Sequence, residues 1–459
     1  MKKKICICGG GANGIVAALF FENKNFDVTL IERSNSIGGI LKSNKSSNYH
    51  LDQGYWMPNY TGIKDMDNFF DKIFPKEKFN KFFFKKKDIA GSIINKKFNP
   101  NSSFPDFKTY SKKIQKDIAN EILKNKFNKD YLNNSKVNLD TYLNNRFGNI
   151  AKNLVFKNIS KKFWRLDLKK ISSAAIKVVH LGRINLFSEK KSLQLKKNPR
   201  LNEVVAYPNQ FKIPLSFIKD KTPSFYPKNY GLNNFLDHLL PMIKKKIKLN
   251  LNTQISKISV IKKKINICAN QKNLKFDYVL WCGPNKELFQ LFSKQKINLF
   301  HKPIKHMTYY ALVDKKINDG GIYWYWDYDI KNSVIRVTFP NNYSSKNNFK
   351  NKKIVMFEVH EDKKIKNIES YLKEYLLKRK IIKRNNSLKL IPNSTFSRYF
   401  FIPSIENVRL ENNIINFLKK KLPSNLFLCS AQISNFKFYF DDLIKLVHES
   451  YLKIKQNEF

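Results

Sequence analysis

The sequence predicts an α/β fold in which one domain is assembled from discontinuous segments and an α+β domain is inserted into it. Three observations predict it. A short apolar strand, Ile5–Cys8, runs into Gly9-Gly10-Gly11-Ala12-Asn13-Gly14 and then into the apolar run Ile15–Phe21. A second strand, Val28–Ile31, ends on Glu32. Far downstream, Tyr226–Leu232, a helix-like run to Lys246 and the strand-like Tyr278–Cys282 repeat the alternation of strand and helix.

The first segment has a chemical reason for each residue. Gly9, Gly11 and Gly14 form G-x-G-x-x-G between a strand and a helix. Gly9 permits the tight turn, Gly11 admits a pyrophosphate to the backbone, and Gly14 lets helix pack on strand. Phosphates would sit on the helix N-terminus, where free N–H groups and the dipole favour negative charge. Glu32 lies 18 residues past Gly14, where a carboxylate binds ribose hydroxyls. The segment is a Rossmann dinucleotide-binding unit, with Ala12 and Asn13 inside its phosphate turn.

The next residues select the dinucleotide. Arg33-Ser34-Asn35-Ser36-Ile37-Gly38-Gly39-Ile40 follows the acid directly, and Leu51-Asp52-Gln53-Gly54-Tyr55 comes later. This pattern resembles the FAD-binding flavoprotein superfamily of amine oxidases, protoporphyrinogen oxidases, carotenoid desaturases and UDP-galactopyranose mutases. The resemblance implies a GR2-type Rossmann domain binding FAD rather than NAD. It implies that Gly38, Gly39 and Ile40 bring the chain against the cofactor, with Arg33 beside the acid. Asp52 and Gly54 would pass near the isoalloxazine.

Two later blocks extend the resemblance. Tyr226-Pro227, a helix, and Asn252-Thr253-Gln254-Ile255 look like the middle of an amine-oxidase-type chain, which adds Ile255 to the cofactor contacts. Near the C-terminus the superfamily carries Gly followed by a charged residue. Here Ser430-Ala431 stands in its place, and Phe436–Asp442 resembles a segment of the mutases one residue out of step. The expected FAD-binding domain comprises 1–75, 221–290 and 416–459. The expected substrate domain comprises 76–220, read as mostly helical, and 291–415, read as strand-rich, with a hairpin turn between Tyr328 and Ser333.

Composition narrows the partners. Lys and Arg number 86 against 36 Asp and Glu, a net charge of +50. That excess ordinarily suggests nucleic acid. Lys, Asn, Ile and Phe are inflated together and share A/T-rich codons, and the lysines run along the whole chain. A biased genome accounts for the charge, so no nucleic-acid partner is expected, and the partner is a small-molecule substrate. The five cysteines fall mostly in apolar strands, as core residues of a reducing compartment. Cys6 and Cys8 are expected on opposite faces of their strand, so no metal site is assigned. No apolar run reaches the ~20 residues of a membrane helix. A cytoplasmic protein is expected, with a peripheral membrane contact and the oligomeric state left open.

Three chemistries are open. An FAD-dependent oxidoreductase needs a flat aromatic cavity over the flavin and few acid–base groups. The strand Tyr323-Trp324-Tyr325-Trp326 would line it, with Tyr323 and Tyr325 as candidate catalytic residues. A mutase-like enzyme acting on a nucleotide sugar needs arginines that clamp a diphosphate, and Arg336 is the candidate. Against this, the histidine and the C-terminal Gly-Arg of the mutases are missing. A scaffold that has lost catalysis is the third.

Overall fold

The computed structural model describes residues 1–46, 49–125, 136–218, 220–314, 316–345 and 351–456. Its first sheet is parallel, in the order Leu426–Leu428, Tyr278–Trp281, Lys4–Cys8, Asp27–Ile31, Lys248–Asn250. These strands come from three distant stretches of the chain. Parallel strands buried on both faces read as continuous apolar runs, and Ile5–Cys8 and Val28–Ile31 are indeed buried without alternation. We label Lys4–Cys8 β1, the helix Ala12–Asn23 α1, and Asp27–Ile31 β2.

Helix α1 is apolar on every side because it is covered on every side. Ala12 to Phe21 are all buried. One face lies on the sheet. On the other, Phe20 and Phe21 meet Tyr451 of the C-terminal helix Phe440–Gln456 at ring distances of 5.4 and 6.0 Å. A separate three-stranded antiparallel sheet, Ile255–Ile261, Lys264–Ala269 and Lys272–Phe276, covers the opposite side of β1.

The second large sheet has eight strands. Its main order is Leu388–Leu390, Ile304–Asp314, Lys352–His360, Val334–Thr338, Trp324–Asp327, Ala90–Ile94, Lys97–Asn99, and Phe396–Phe400 pairs with Ile304–Asp314. The expected hairpin is present, with Trp326 opposite Arg336 across its antiparallel pair. Two expectations need correction. Residues 76–220 are not only helical, because Phe79–Phe82, Ala90–Ile94 and Lys97–Asn99 are strands. Ala90–Ile94 is a short, fully buried run whose partner, Trp324–Asp327, lies more than 200 residues away, so local pattern does not reveal it. Cys6 and Cys8 share one face, with their sulfurs 3.7 Å apart, because strand side chains alternate and residues i and i+2 point the same way. Burial raises the Cys6 thiol well above its usual range, with Cys8 adding to the rise. Among the described residues no helix is long and apolar enough to cross a membrane.

Candidate functional site

At the C-terminal edge of the parallel sheet lies a cleft of about 680 Å³. Gly9, Gly11, Glu32, Gly39 and Ile255 line it, as do Arg33 and Cys282. Open α/β sheets bind ligands at this edge. The turn after β1 is held by the Gly9 N–H donating to the Ile31 carbonyl at 2.8 Å, and Gly9 has φ +110°. A side chain at Gly14 would overlap the Gly9 carbonyl, so Gly14 serves helix–strand contact. The Gly38 N–H donates to the Gly10 carbonyl at 2.7 Å. A Cβ on Gly39 would stand 3.1 Å from the Gly11 Cα. The second glycine pair is therefore folded onto the first.

Gly11 tests whether the cleft fits a dinucleotide. A Cβ there would meet nothing nearer than the Asn13 Oδ1 at 3.7 Å. No protein atom requires this glycine, and it caps α1 with no side-chain hydrogen bond to the helix N-terminus. Open space against a bare helix start suits a phosphate. Glu32 stands at the rim, its Oε2 accepting from the Gly10 N–H at 2.7 Å and its Oε1 from the Ser34 N–H at 2.9 Å. Burial opposes its charge, but those two backbone donors, with Lys42, hold the carboxyl below its ordinary range. Arg33 reaches Glu287 at 2.6 Å on the surface.

Other residues of the expected cofactor set lie elsewhere. Asn13 donates to the Cys429 carbonyl at 2.7 Å, and Ser430 bonds Asn285 at 2.5 Å, so both line an adjoining, mostly apolar cavity of about 500 Å³. Ala12 is buried in the first turn of α1, and Ile40 is half-buried in the turn Gly39–Leu41. Asp52 is buried outside the cleft. It accepts from Ser43 Oγ at 2.8 Å, Tyr226 OH at 2.5 Å and the Leu232 N–H at 2.6 Å, tying the early chain to the start of the helix Asn233–Lys246. Burial pushes its carboxyl up to about 6 despite these donors. Gly54 is required by another neighbour, since a Cβ there would overlap the guanidinium of Arg398.

Arg398 belongs to a second constellation, a packed aromatic cluster on the large sheet that we call the chamber. Arg336 Nε donates to Glu358, and Arg398 Nη1 lies 3.5 Å from the other oxygen of the same carboxylate. The Arg336 guanidinium stands 5.0 Å from the Trp326 ring, 5.6 Å from Tyr55 and 5.7 Å from Trp324. Asp88 accepts from Tyr55 OH at 2.6 Å and from Trp324 Nε1 at 2.7 Å. His180 packs on Trp324 with ring centroids 5.1 Å apart. Burial, with Arg336 nearby, keeps its imidazole below the usual range.

Tyr323 abuts this chamber through Tyr343, at 5.5 Å. Tyr325 does not. It alternates to the opposite face from Trp324 and Trp326 and packs on Phe98 and Phe339. Glu358, Arg398 and Asp88 are the residues that sequence reasoning missed. Glu358 leaves one trace, a lone acid in the otherwise apolar run Ile354–Val359, and register sets it opposite Arg336.

A protein built this way carries a Rossmann-type parallel sheet and a large second sheet inserted into the same chain. Residues 7–72 match the NAD(P)-binding Rossmann-like domain family. A stretch of 51 residues is 37% identical to 4,4'-diapolycopen-4-al dehydrogenase of Metabacillus indicus, covering 11% of this chain and 10% of that one. Over the whole chain the fold is that of reduced UDP-galactopyranose mutase, with TM-score 0.69, 15% identity, and coverage of 99% and 96% of the two chains. A candidate protoporphyrinogen oxidase from Exiguobacterium follows the same path, with TM-score 0.57 at 12% identity over 99% and 100%. So does a putrescine oxidase variant, with TM-score 0.57 at 10% identity over 99% and 99%. The fold is thus the one these three structures share.

Proposed function

We propose that this chain is an enzyme that binds FAD in the glycine-lined cleft and works as an FAD-dependent oxidoreductase on a small-molecule substrate. The division proposed puts 1–75, 221–290 and 416–459 in the cofactor domain and 76–220 and 291–415 in the substrate domain. The observation that carries the reading is Gly11, whose missing side chain leaves open space at the start of α1 beside Glu32. When bound, the flavin supplies the hydride acceptor, so the protein needs to bind, orient and exclude water. Gly9, Gly11 and the α1 N-terminus would hold the pyrophosphate, and Glu32 the adenosine ribose. Tyr55, Trp324 and Trp326 give the chamber flat apolar walls. Arg336 and Arg398 share the single Glu358 carboxylate, so their charge is compensated only in part.

Purified protein tests this reading. It should be yellow, or take up FAD on reconstitution. A colourless chain that takes up none, or one that binds NAD in the cleft instead, overturns it.

One observation favours a second reading. The likeness to UDP-galactopyranose mutase has the higher TM-score of those above, and Arg336 and Arg398 stand together in the chamber. A mutase-like enzyme acting on a nucleotide sugar would use planar guanidinium groups to clamp the diphosphate. For that, Glu358 would have to release at least one of them.

A further inference from the structure

Two loops on one face of the molecule expose large apolar side chains. Phe83 and Phe84 are 46% and 40% exposed, and Phe211 and Leu215 are 37% and 54% exposed. The loops lie side by side because both ends of the second are fastened to the first. The Gln210 side chain accepts from the Ala90 N–H at 3.2 Å and donates to the Ala90 carbonyl at 2.8 Å. Lys87 Nζ reaches Asp220 at 2.6 Å and the Thr222 carbonyl at 2.8 Å.

The polar residues between these rings carry one sign. Phe83-Phe84-Lys85-Lys86-Lys87 and Phe211-Lys212-Ile213-Pro214-Leu215-Ser216-Phe217-Ile218 contain no carboxylate. Lys86, Lys212 and Lys221 are exposed, and so is Asp220 at the end of the second loop, where it pairs with Lys87. Backbone geometry also favours display. Phe84 and Asp88 hold φ of +48° and +47°, a region in which a bulky residue is unusual. The chain adopts an unfavourable turn that leaves two phenylalanines in solvent.

We propose that these two loops form a docking face for an anionic lipid surface. Phe83, Phe84 and Leu215 would enter the boundary between headgroups and acyl chains. The flanking lysines would meet lipid phosphates. A protein partner with an apolar groove would not need lysines without acids between the rings, whereas an anionic bilayer attracts that combination. The face is joined to the chamber through the same loop. The Lys86 carbonyl accepts from Tyr323 OH at 2.7 Å, and Asp88, two residues on, holds Tyr55 and Trp324. The inference does not depend on whether the chamber's chemistry is redox or mutase-like.

Sedimentation of the full chain with vesicles tests it. Mixed phosphatidylcholine–phosphatidylglycerol vesicles should carry the protein down, and phosphatidylcholine vesicles far less. Phe83→Ser/Phe84→Ser should weaken binding about tenfold or more, because it removes buried apolar area without touching net charge. Lys85→Ser/Lys86→Ser should weaken it about fivefold per lysine at low salt. Val260→Ser/Ile261→Ser alters another exposed apolar pair, 52% and 45% exposed, and should change nothing. Failure of the wild type to bind anionic vesicles overturns the proposal. So does binding that survives Phe83→Ser/Phe84→Ser, which would reflect only the charge of the chain. An equal loss in the Val260/Ile261 control also overturns it. Self-association in light scattering that disappears in the Phe83/Phe84 variant overturns it too, and makes the face an interface between copies of the chain.

Discussion

The glycine-lined cleft and the aromatic chamber are built on opposite plans. The cleft is made of backbone. One wall is glycines, a helix start and the Glu32 carboxylate, within the first 42 residues, and the facing wall is Thr253–Ile255 and the stretch from Trp281 to Leu291, which adds Glu287. The chamber is made of side chains, and its charged core, Arg336, Glu358 and Arg398, is assembled by strand pairing across the large sheet. Backbone sites tolerate little change in shape and much change in the surroundings. Side-chain sites behave the other way, because each partner is held only by the others.

Gly11→Val should break the cleft while sparing the fold. The added Cβ meets nothing nearer than the Asn13 Oδ1 at 3.7 Å, so thermal stability of the cofactor-free protein should stay within about 1 kcal/mol. FAD affinity should fall at least about a hundredfold, because the pyrophosphate and the valine compete for one space. Isothermal titration with FAD, set beside a melting curve, reads both. Equal losses of affinity and stability would mean that Gly11 serves packing, like Gly14.

Acid should separate the two regions next. His306 and His360 face each other in the chamber's sheet, 4.6 Å apart and buried. Burial pushes both imidazoles down to about 3, with Arg398 adding to the effect at His306 and His306 at His360. Their folded values lie below the unfolded one, so the unfolded chain takes up protons first as pH falls below about 6.5. Stability present at pH 7 is then lost, by about 2 kcal/mol per histidine at pH 5. Asp52 works in the opposite direction. Its carboxyl is raised to about 6 by burial, so its protonation between pH 7 and 5 returns about 1 kcal/mol. Denaturant titrations at the two pH values should show a flatter acid loss in His306→Phe and a steeper one in Asp52→Asn. Parallel slopes in all three proteins would refute the assignment.

The same contrast explains what the sequence revealed. The cleft was legible because its determinants are local: a strand, three glycines at fixed spacing, a helix and an acid need no partner to be recognised. The doubling back of Gly38-Gly39 onto Gly10 and Gly11 is a finding of the structure, since the resemblance implied only that this pair approaches the cofactor. The chamber was legible only in fragments, as a run of aromatic residues and a single arginine. Glu358 and Arg398 join Arg336 through strand register, and no local pattern encodes register between strands this far apart. Asp52 shows the same dependence on distant partners. The resemblance set its D-x-G element near the cofactor, and the structure adds a role that local pattern does not carry, the tie from Asp52 to Tyr226 and the start of a helix.

Glu32→Gln should sharpen the view of the cleft with a smaller effect. Glutamine keeps one acceptor oxygen, but its amide nitrogen would face either the Gly10 or the Ser34 N–H, where both carboxylate oxygens now accept. Cofactor affinity should fall by about 1–2 kcal/mol through the loss of charge-assisted hydrogen bonds. Turnover at saturating FAD should persist, since the adenosine end lies away from the reacting ring. Full FAD occupancy with no turnover would place Glu32 in the chemistry and undo its assignment.

The smallest expected effect tests the chamber. Arg336 shares Glu358 with Arg398 and stands over three aromatic rings. Lysine at this position retains the charge but loses the planar surface that stacks on Trp326 and the fork that pairs with Glu358. Arg336→Lys should therefore lower stability by about 1 kcal/mol, the scale of a partly exposed pair with a cation–π contact. If the chamber serves redox chemistry, the guanidinium is structural. UDP will then leave the flavin spectrum of the wild type unchanged, and the variant will match it. If the chamber holds a nucleotide sugar, UDP will shift the flavin absorbance of the wild type, and Arg336→Lys will abolish the shift. The oxidoreductase reading expects the silent result, because Glu358 already occupies the face that a diphosphate would need. A UDP-induced shift lost in the variant would show that Glu358 yields to the ligand, and the mutase reading would displace it.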